Sequence, residues 1–159
     1  MDSTIQALYH KYAQRFIDQL QEVYVANNII ATGDYGKSLL PEVAETGFII
    51  KHAIYGKVID NGRGAGKRPS IPSIMRWLEN KKGLPPSMLR DKRQTAFAIA
   101  NKIAREGIKV PNQYNSGRLI TNVVNDFLAT DVYELLGELE VYYKKQLQYR
   151  MKGAVTGRY

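Results

Sequence analysis

The chain has 159 residues and a mass of 18.0 kDa, which is enough for one domain of ordinary size. It contains no cysteine and only two histidines, His10 and His52, so a disulfide framework, a thiolate zinc site and a cysteine nucleophile are excluded. Its 23 Lys and Arg exceed its 15 Asp and Glu to give a formal net charge of +8, and its hydrophobic fraction of 44% is sufficient for a packed core. We expect no membrane span and no secretory signal, because the apolar runs are short and the first twenty residues carry charges throughout.

The excess of positive charge lies in the middle third of the chain. Residues 51–109 contain 14 Lys and Arg against 4 Asp and Glu, whereas residues 1–50 have a net charge of −3 and residues 110–159 a net charge of +1. We therefore expect any function that uses charge to involve the middle third.

A long helix is predicted at the start of the chain. Ser3 or Thr4 is a suitable cap, and apolar residues follow at spacings of three and four from Ile5 to Tyr24. Such a helix is about 35 Å long. An amphipathic helix of that length needs a large surface to lie against, either in its own domain or on another subunit.

A β-hairpin is predicted next, with strands at residues 39–45 and 48–59 and a turn between them at residues 46–47. The first strand is the weaker, since Pro41 removes a backbone donor and favours an edge position. Alternation along the second strand places apolar side chains on both faces. His52 falls on one apolar face, and we interpret it as a core or interface residue.

Residues 60–72 read D-N-G-R-G-A-G-K-R-P-S-I-P and predict a long, mobile loop in which Asp60 is a turn residue. Connections of this length inside a compact domain are usually functional or become ordered on binding. The string does not match a phosphate-binding loop. Gly62 and Gly66 have three residues between them instead of four, and Lys67 is followed by Arg68 instead of Ser or Thr.

Helices are predicted over most of the remaining chain. A short one covers about residues 73–82, and Pro85-Pro86 after it is expected to be coil. The next is capped by Asp91, with Gln94 completing a capping box, and closes at Gly107.

The C-terminal third predicts two more elements. Residues 119–127 suit a short helix, although their β-branched members leave a strand open. A long helix starts at Asp131, and residues 153–159 are expected to be a loose tail. These elements together predict an α+β fold with a long N-terminal helix, a small antiparallel sheet with a long Gly/Pro/basic loop, and packed helices including a long C-terminal one. We expect a single domain over residues 1–152, with a flexible loop inserted at 60–72.

No local signature of catalysis is present. Glu138 and Glu140 point to different sides of a helix, and the neighbours His52 and Tyr55 fall on opposite faces of the predicted strand. We therefore expect neither enzymatic activity nor a cofactor. An enzyme would need a site assembled from residues with no local pattern.

Basic and aromatic residues remain as candidates for binding. Between Arg63 and Arg93 there are nine cations and two acids, which can meet nucleic-acid phosphates, an acidic protein surface or solvent. Tyrosines occupy more than one side of the last helix, and tyrosine is enriched at interfaces.

The order of the elements resembles a known family. The segments G-D-Y-G-K-S-L, Y-G-K-V-I-D-N-G-R, I-P-S-I-M-R-W-L-E-N-K-K-G and A-F-A-I-A-N-K-I-A-R-E-G-I, within residues 33–108, are similar to the tail-completion and head–tail joining (neck) proteins of tailed bacteriophages. In that family an aromatic residue, here Tyr55, precedes an acid-x-Gly turn, here Asp60 to Gly62. A long loop then leads to two helices.

This resemblance implies a non-enzymatic virion protein assembled in the host cytoplasm. It implies a homo-oligomeric ring that contacts the portal or an adjacent connector ring and the tail proteins, with DNA passing through the lumen in transient, non-specific contact. No membrane or small-molecule partner is implied. The residues expected to dock on a partner are Asp60, Asn61, Gly62, Arg63, Gly64, Gly66, Lys67 and Arg68 in the loop. The expected contacts to phosphate or an acidic partner are Arg76, Lys81, Lys82, Arg90, Lys92 and Arg93, and the expected interface aromatics are Tyr55, Trp77, Tyr142 and Tyr149.

The alternative is a nucleic-acid-binding module that uses the basic residues 51–109. Its affinity for duplex DNA would fall steeply with salt. No helix-turn-helix, RNP or zinc-knuckle pattern supports sequence-specific recognition.

Overall fold

The computed structural model describes residues 2–29, 34–53, 55–113 and 115–156. Its elements in chain order are α1 (Ser3–Ala26), α2 (Asp34–Lys37), β1 (Leu40–Ala44), β2 (Gly47–Lys51), α3 (Gly56–Asn61), α4 (Ile71–Asn80), α5 (Pro86–Arg90), α6 (Lys92–Glu106), α7 (Leu119–Ala129) and α8 (Asp131–Thr156). The expected α+β class is confirmed, with one small antiparallel sheet and long helices near both ends. Across the described ranges, no helix combines the length and the hydropathy needed to cross a membrane.

Helix α1 is the long N-terminal helix that the apolar spacing predicts. Its cap is Asp2 instead of Ser3 or Thr4, since Asp2 Oδ1 accepts the Thr4 N–H at 2.8 Å. The helix ends at Ala26, two residues after Tyr24, the last residue of the predicted apolar spacing. Its buried side chains are Ile5, Tyr9, Tyr12, Ala13, Ile17, Leu20 and Tyr24. The hydrophobic core has two large clusters around α1. Ile5, Tyr9 and Tyr12 belong to one cluster, and Ile17, Leu20 and Tyr24 belong to the other.

The hairpin is confirmed, but its second strand is shorter than predicted. β1 and β2 pair antiparallel, with Leu40 opposite Lys51 and Ala44 opposite Gly47. β2 ends at Lys51, whereas we expected a strand up to residue 59. Phe48 and Ile50 on β2 pack against the core that α1 forms.

Residues 56–61 form helix α3, so the strand predicted there is wrong. An apolar pattern on both faces of a short run does not distinguish a strand from a buried helix. The helix begins where the backbone at Gly56 passes close to Tyr35, since a Cβ on Gly56 would lie 2.6 Å from Tyr35 Oη. His52 is exposed just before this turn, so of the two predicted roles the core one is wrong, and its Nδ1 lies 2.9 Å from the Ala53 carbonyl oxygen.

Residues 62–109, which we call the three-helix unit, contain α4, α5 and α6. Asp91 caps α6 as predicted, with its Oδ1 accepting the Gln94 N–H at 2.9 Å. Ser70 caps α4, accepting the Ser73 N–H at 3.2 Å. Pro86, which we expected in coil, begins the short helix α5.

The three-helix unit has its own small core. Ile74 and Leu78 of α4 face Ala96 and Ala100 of α6. The two alanines are completely buried, so the helices approach closely. This cluster is separate from the two clusters around α1.

The remaining described residues, 2–29, 34–53, 55–61, 110–113 and 115–156, form what we call the main unit. Residues 119–129 form helix α7, which decides between the helix and the strand that the sequence left open. Helix α8 continues to Thr156 and so includes part of the segment expected to be a loose tail. Residues 157–159 of that expected tail lie outside the described residues.

Helices α1 and α8 are held together by a set of polar contacts as well as by apolar packing. Arg15 Nε lies 2.7 Å from Oδ1 of the buried Asp131, and Arg15 Nη1 lies 2.6 Å from Glu134 Oε2. One turn away, Tyr12 Oη donates to Glu138 Oε1 at 2.8 Å. Burial and this carboxylate raise the pKa of Tyr12 to about 12.

Candidate assembly surfaces

The glycine-rich segment is shorter and more firmly held than expected. Asp60 and Asn61 belong to α3, and residues 71–72 belong to α4, so the loop covers residues 62–70. Arg63 and Ile108 exchange backbone hydrogen bonds of 2.9 and 2.8 Å, which join the two linkers of the three-helix unit. Within the loop, residues 64–68 are exposed.

Two glycines let these linkers cross closely. Gly62 has φ +73°, and a Cβ there would lie 2.1 Å from the Ile108 carbonyl oxygen. Gly107 has φ +77°, and its Cβ would lie 2.2 Å from the Arg63 carbonyl oxygen. By contrast, a Cβ on Gly64 meets nothing within 4 Å. Gly62 is therefore part of the framework, whereas Gly64 lies in the exposed part of the loop.

Asp60 is a buried cap for another helix instead of a turn residue. Only 5% of it is exposed. Its Oδ1 accepts the Ile120 N–H at 2.7 Å, and its Oδ2 accepts the Thr121 hydroxyl at 2.6 Å. Arg118, at the start of α7, makes no side-chain cap of its own. A carboxylate 60 residues away thus satisfies the free donors at the α7 N-terminus, where negative charge is favourable.

The predicted cations are divided between two ends of the three-helix unit. Lys92 at the start of α6 lies 3.5 Å from Glu79 near the end of α4, whereas Arg68, before α4, donates to Asn101 in the second half of α6 at 2.9 Å. The two helices are therefore antiparallel. One end carries the cations Lys81, Lys82, Arg90, Lys92 and Arg93, and the other carries Arg63, Lys67 and Arg68. The exposed Arg76 lies on α4 between them.

Some of these cations already have contacts within the chain. Arg63 Nη2 donates to the Lys67 carbonyl oxygen at 2.7 Å, and the Arg68 guanidinium lies 5.0 Å from the centre of the Phe97 ring. These contacts fix Arg63 and Arg68 against their own unit. Lys67 is exposed.

A polar cleft of about 320 Å³ lies between the two units. Lys81 and Lys82 line it on one side, and the end of α1 at Asn27 and the segment around Ser116 line it on the other. Burial lowers the pKa of Lys81. This lysine therefore faces the main unit instead of extending freely from a basic surface.

The four aromatic residues singled out as interface candidates occupy different surroundings. Trp77 packs against the core of the three-helix unit, and the Tyr55 ring lies 5.5 Å from Tyr35 in an edge-on arrangement. Tyr142 is half-buried against the core cluster that contains Ile5, and the neighbouring Asp2 carboxylate raises its pKa. Tyr149 is 78% exposed. Of the four, Tyr149 has the most accessible ring.

The second half of α8 projects beyond the main unit. α8 runs along α1 in the opposite direction, from the Asp131–Arg15 pair to the contact between Tyr142 and Asp2. α1 starts at this point, and α8 continues for the further residues 143–156, a length of about 20 Å. Every residue from 143 to 155 except Gly153 is exposed. We call residues 143–156 the projecting helix.

The projecting helix carries an exposed row of apolar side chains. Tyr143, Leu147, Met151 and Val155 follow each other at intervals of four residues, so they lie along one side of the helix. Each is more than half exposed. Apolar rows at helical spacing that remain exposed on one chain are typical of surfaces that bind another chain.

An apolar groove of about 400 Å³ lies at the opposite part of the main unit. Because β2 and α7 both contact α1, α1 forms the base of the groove and the other two elements flank it. The base contains Phe16 and Leu20, the β2 side contains Phe48, Ile50 and His52, and the α7 side contains Ile120, Val124 and Leu128. Leu128 is 55% exposed at the rim. The rings of Phe48 and Phe127, which both line the groove, lie 6.1 Å apart in an edge-to-face arrangement. The groove is therefore open and apolar, and its sides are formed by fixed elements.

Neither the groove nor the role of Asp60 could be predicted from local sequence patterns. The groove needs β2 and α7 to be placed on the same helix, and no local pattern contains that information. The unusual start of α7, with no Ser, Thr, Asp or Asn at its cap position, was a signal that a distant group supplies the cap.

No family model, no curated protein and no solved structure matches this chain. Within the part of the chain that the structure describes, no group of three His, Asp or Glu side chains is placed to hold a metal ion.

Proposed function

We propose that this chain is a non-enzymatic structural subunit that assembles into a ring in the head–tail connector of a tailed bacteriophage virion. The observation that carries the proposal is the projecting helix. Its apolar row lies exposed on the single chain, whereas helices in proteins are stabilised mostly by the packing of such an apolar face. A second surface must therefore cover it in the working protein.

The proposed location of this assembly in the head–tail connector rests on the sequence resemblance. Residues 33–108 resemble the neck proteins, in which the loop between the central elements docks on a neighbour. In this chain the candidate docking part of the loop is its exposed stretch, residues 64–68, which contains the exposed cation Lys67. Lys67 is suited to an acidic group on the portal side or on the tail side.

The oligomeric state of the purified protein in solution tests this proposal. Full-length protein should be an oligomer of defined size in light scattering, and a variant that ends at Tyr142 should be a monomer with the same melting of the main unit. Mass spectrometry of purified particles should detect the chain. A full-length protein that stays monomeric at all concentrations, or particles without the chain, would contradict the proposal.

A second candidate function is binding of nucleic acid by the three-helix unit. The observation that favours it is the charge of residues 62–109, which contain twelve Lys and Arg and three Asp and Glu. Duplex DNA titrated at several salt concentrations tests it: a steep decrease of a sub-micromolar affinity with salt supports this candidate. Negligible binding at physiological salt removes it.

A further inference from the structure

We infer that the projecting helix of one subunit binds in the apolar groove of the next copy of the same chain. This inference deepens the proposed function and rests on its claim that the chain self-assembles. It assigns the two sides of the contact, residues 143–156 on one copy and the groove between β2 and α7 on the other, and it makes the contact head-to-tail.

Three of the four side chains in the apolar row match the groove in length. From Tyr143 to Met151 the apolar row spans eight residues of helix, or about 12 Å. The α7 side of the groove, from Ile120 to Leu128, spans about 12 Å as well. On the β2 side, the distance from Phe48 to His52 is about 13 Å. Three successive side chains of the row therefore fit between the two ends of the groove.

A subunit cannot fill its own groove with its own projecting helix. The helix leaves the main unit at Asp2, whereas the base of the groove lies at Phe16 and Leu20. Asp2 and Leu20 are separated along α1 by about 27 Å, and the helix points away from the groove. One copy therefore offers a projecting helix at one end and a groove at the other. Such heterologous contacts close into rings when the rotation between the copies permits it.

Charge favours the same pairing. The projecting helix contains the four cations Lys144, Lys145, Arg150 and Lys152 and no Asp or Glu. Residues 2–61 and 115–132, which contain the groove, have six Lys and Arg and nine Asp and Glu. Opposite net charges guide two copies into this orientation, whereas two projecting helices repel each other.

Introduced cysteines test the contact directly, because the natural chain has none. Leu147 is central in the row, and Val124 is central on the α7 side of the groove, so the two meet whichever way the helix lies. The full-length variant with both Leu147→Cys and Val124→Cys should form a ladder of disulfide-linked dimers, trimers and larger species under mild oxidation. Either single variant alone should give only monomer, and a mixture of the two single variants should give only dimer.

The outcomes separate the inference from the proposed function. If light scattering shows an oligomer but the double variant forms no ladder of disulfide-linked species, the inference is overturned and the proposed self-assembly stands. Covalent dimers from Leu147→Cys alone also overturn it, since they place two projecting helices side by side. A ladder from a protein that is missing from purified particles supports the inference and contradicts the connector function.

Discussion

The main unit and the three-helix unit are built in different ways. The main unit packs large tyrosines and leucines around α1 and adds ion pairs between α1 and α8. The three-helix unit packs two alanines against Ile74 and Leu78. Charge also divides them, since residues 62–109 carry twelve Lys and Arg against three acids, whereas the remaining residues carry eleven against twelve.

The proposed assembly surfaces and the excess of positive charge therefore lie on separate parts of the chain. The exposed apolar row and the apolar groove both lie on the main unit, and the basic residues concentrate on the three-helix unit. The two units are joined through the linkers that cross at Gly62 and Gly107. Substitutions in each place should therefore have separable effects.

The largest effect is expected at the crossing of the linkers. In Gly62→Ala, the left-handed φ is unfavourable and the new Cβ would meet the Ile108 carbonyl oxygen, so we expect a loss of about 4 kcal/mol in the free energy of unfolding. Gly64→Ala is the matched control in the same loop, and it should change stability by less than about 0.5 kcal/mol. Urea unfolding measures both, and equal effects of the two variants would show that the crossing does not hold the units together.

The next largest effects should separate the two cores. Leu78→Ala and Leu20→Ala each remove a completely buried side chain, and each should cost about 3 kcal/mol. Hydrogen exchange should show Leu78→Ala lowering protection mainly in α4 and α6, with α1 unchanged. Leu20→Ala should lower protection in α1, α7 and the hairpin. Equal loss of protection in both units from either variant would mean that the cores unfold as one.

A smaller effect is expected at the contact between α1 and α8. Arg15→Ala leaves the buried Asp131 with Gln19 and Thr130 as its donors and should lower stability more than the loss of an exposed pair does. Lys11→Ala, one turn away, removes an exposed pair with Glu138 and should cost less than about 1 kcal/mol. Thermal unfolding compares them, and a Lys11→Ala variant as unstable as Arg15→Ala would contradict this ranking.

The smallest effect concerns pH. Hydrogen bonds from Lys11 and Tyr12 lower the pKa of Glu138 in the folded protein. A carboxyl group whose pKa is lower in the folded than in the unfolded protein stabilises the fold at any pH above its unfolded pKa. For a glutamate this contribution is lost as the pH falls below about 4.3. The Glu138→Gln variant should therefore lose less stability than the natural protein between pH 5 and pH 3 in parallel urea titrations, by an amount that exposure keeps small. Superimposable pH profiles would contradict this role of Glu138.

Local patterns predicted the long helices well. The apolar spacing from Ile5 to Tyr24 and the helix cap at Asp91 depend on residues within a few turns, so one sequence is sufficient. The strand predicted after Lys51 was wrong because the conformation of this segment depends on Tyr35 and on the α7 N-terminus, both distant in sequence. Asp60 was misinterpreted for the same reason, since its partners are at residues 120 and 121.

The candidate surfaces were predicted less completely than the helices. The basic middle third and the tyrosines of α8 could be seen in the sequence. The point at which α8 leaves α1 could not be seen, because the apolar spacing of α8 continues past Tyr142 without a break. The groove depends on three elements meeting, and a sequence pattern within any one of them does not indicate it.

The account rests on self-assembly through the projecting helix, and one pair of variants tests it most directly. Leu147→Glu and Gln148→Glu place the same new charge at neighbouring exposed positions, but only the first lies in the apolar row. In light scattering of the full-length protein, we expect the natural chain and Gln148→Glu to form the same oligomer and Leu147→Glu to be a folded monomer. A natural chain that is monomeric, or a Leu147→Glu variant that assembles like Gln148→Glu, would contradict the account.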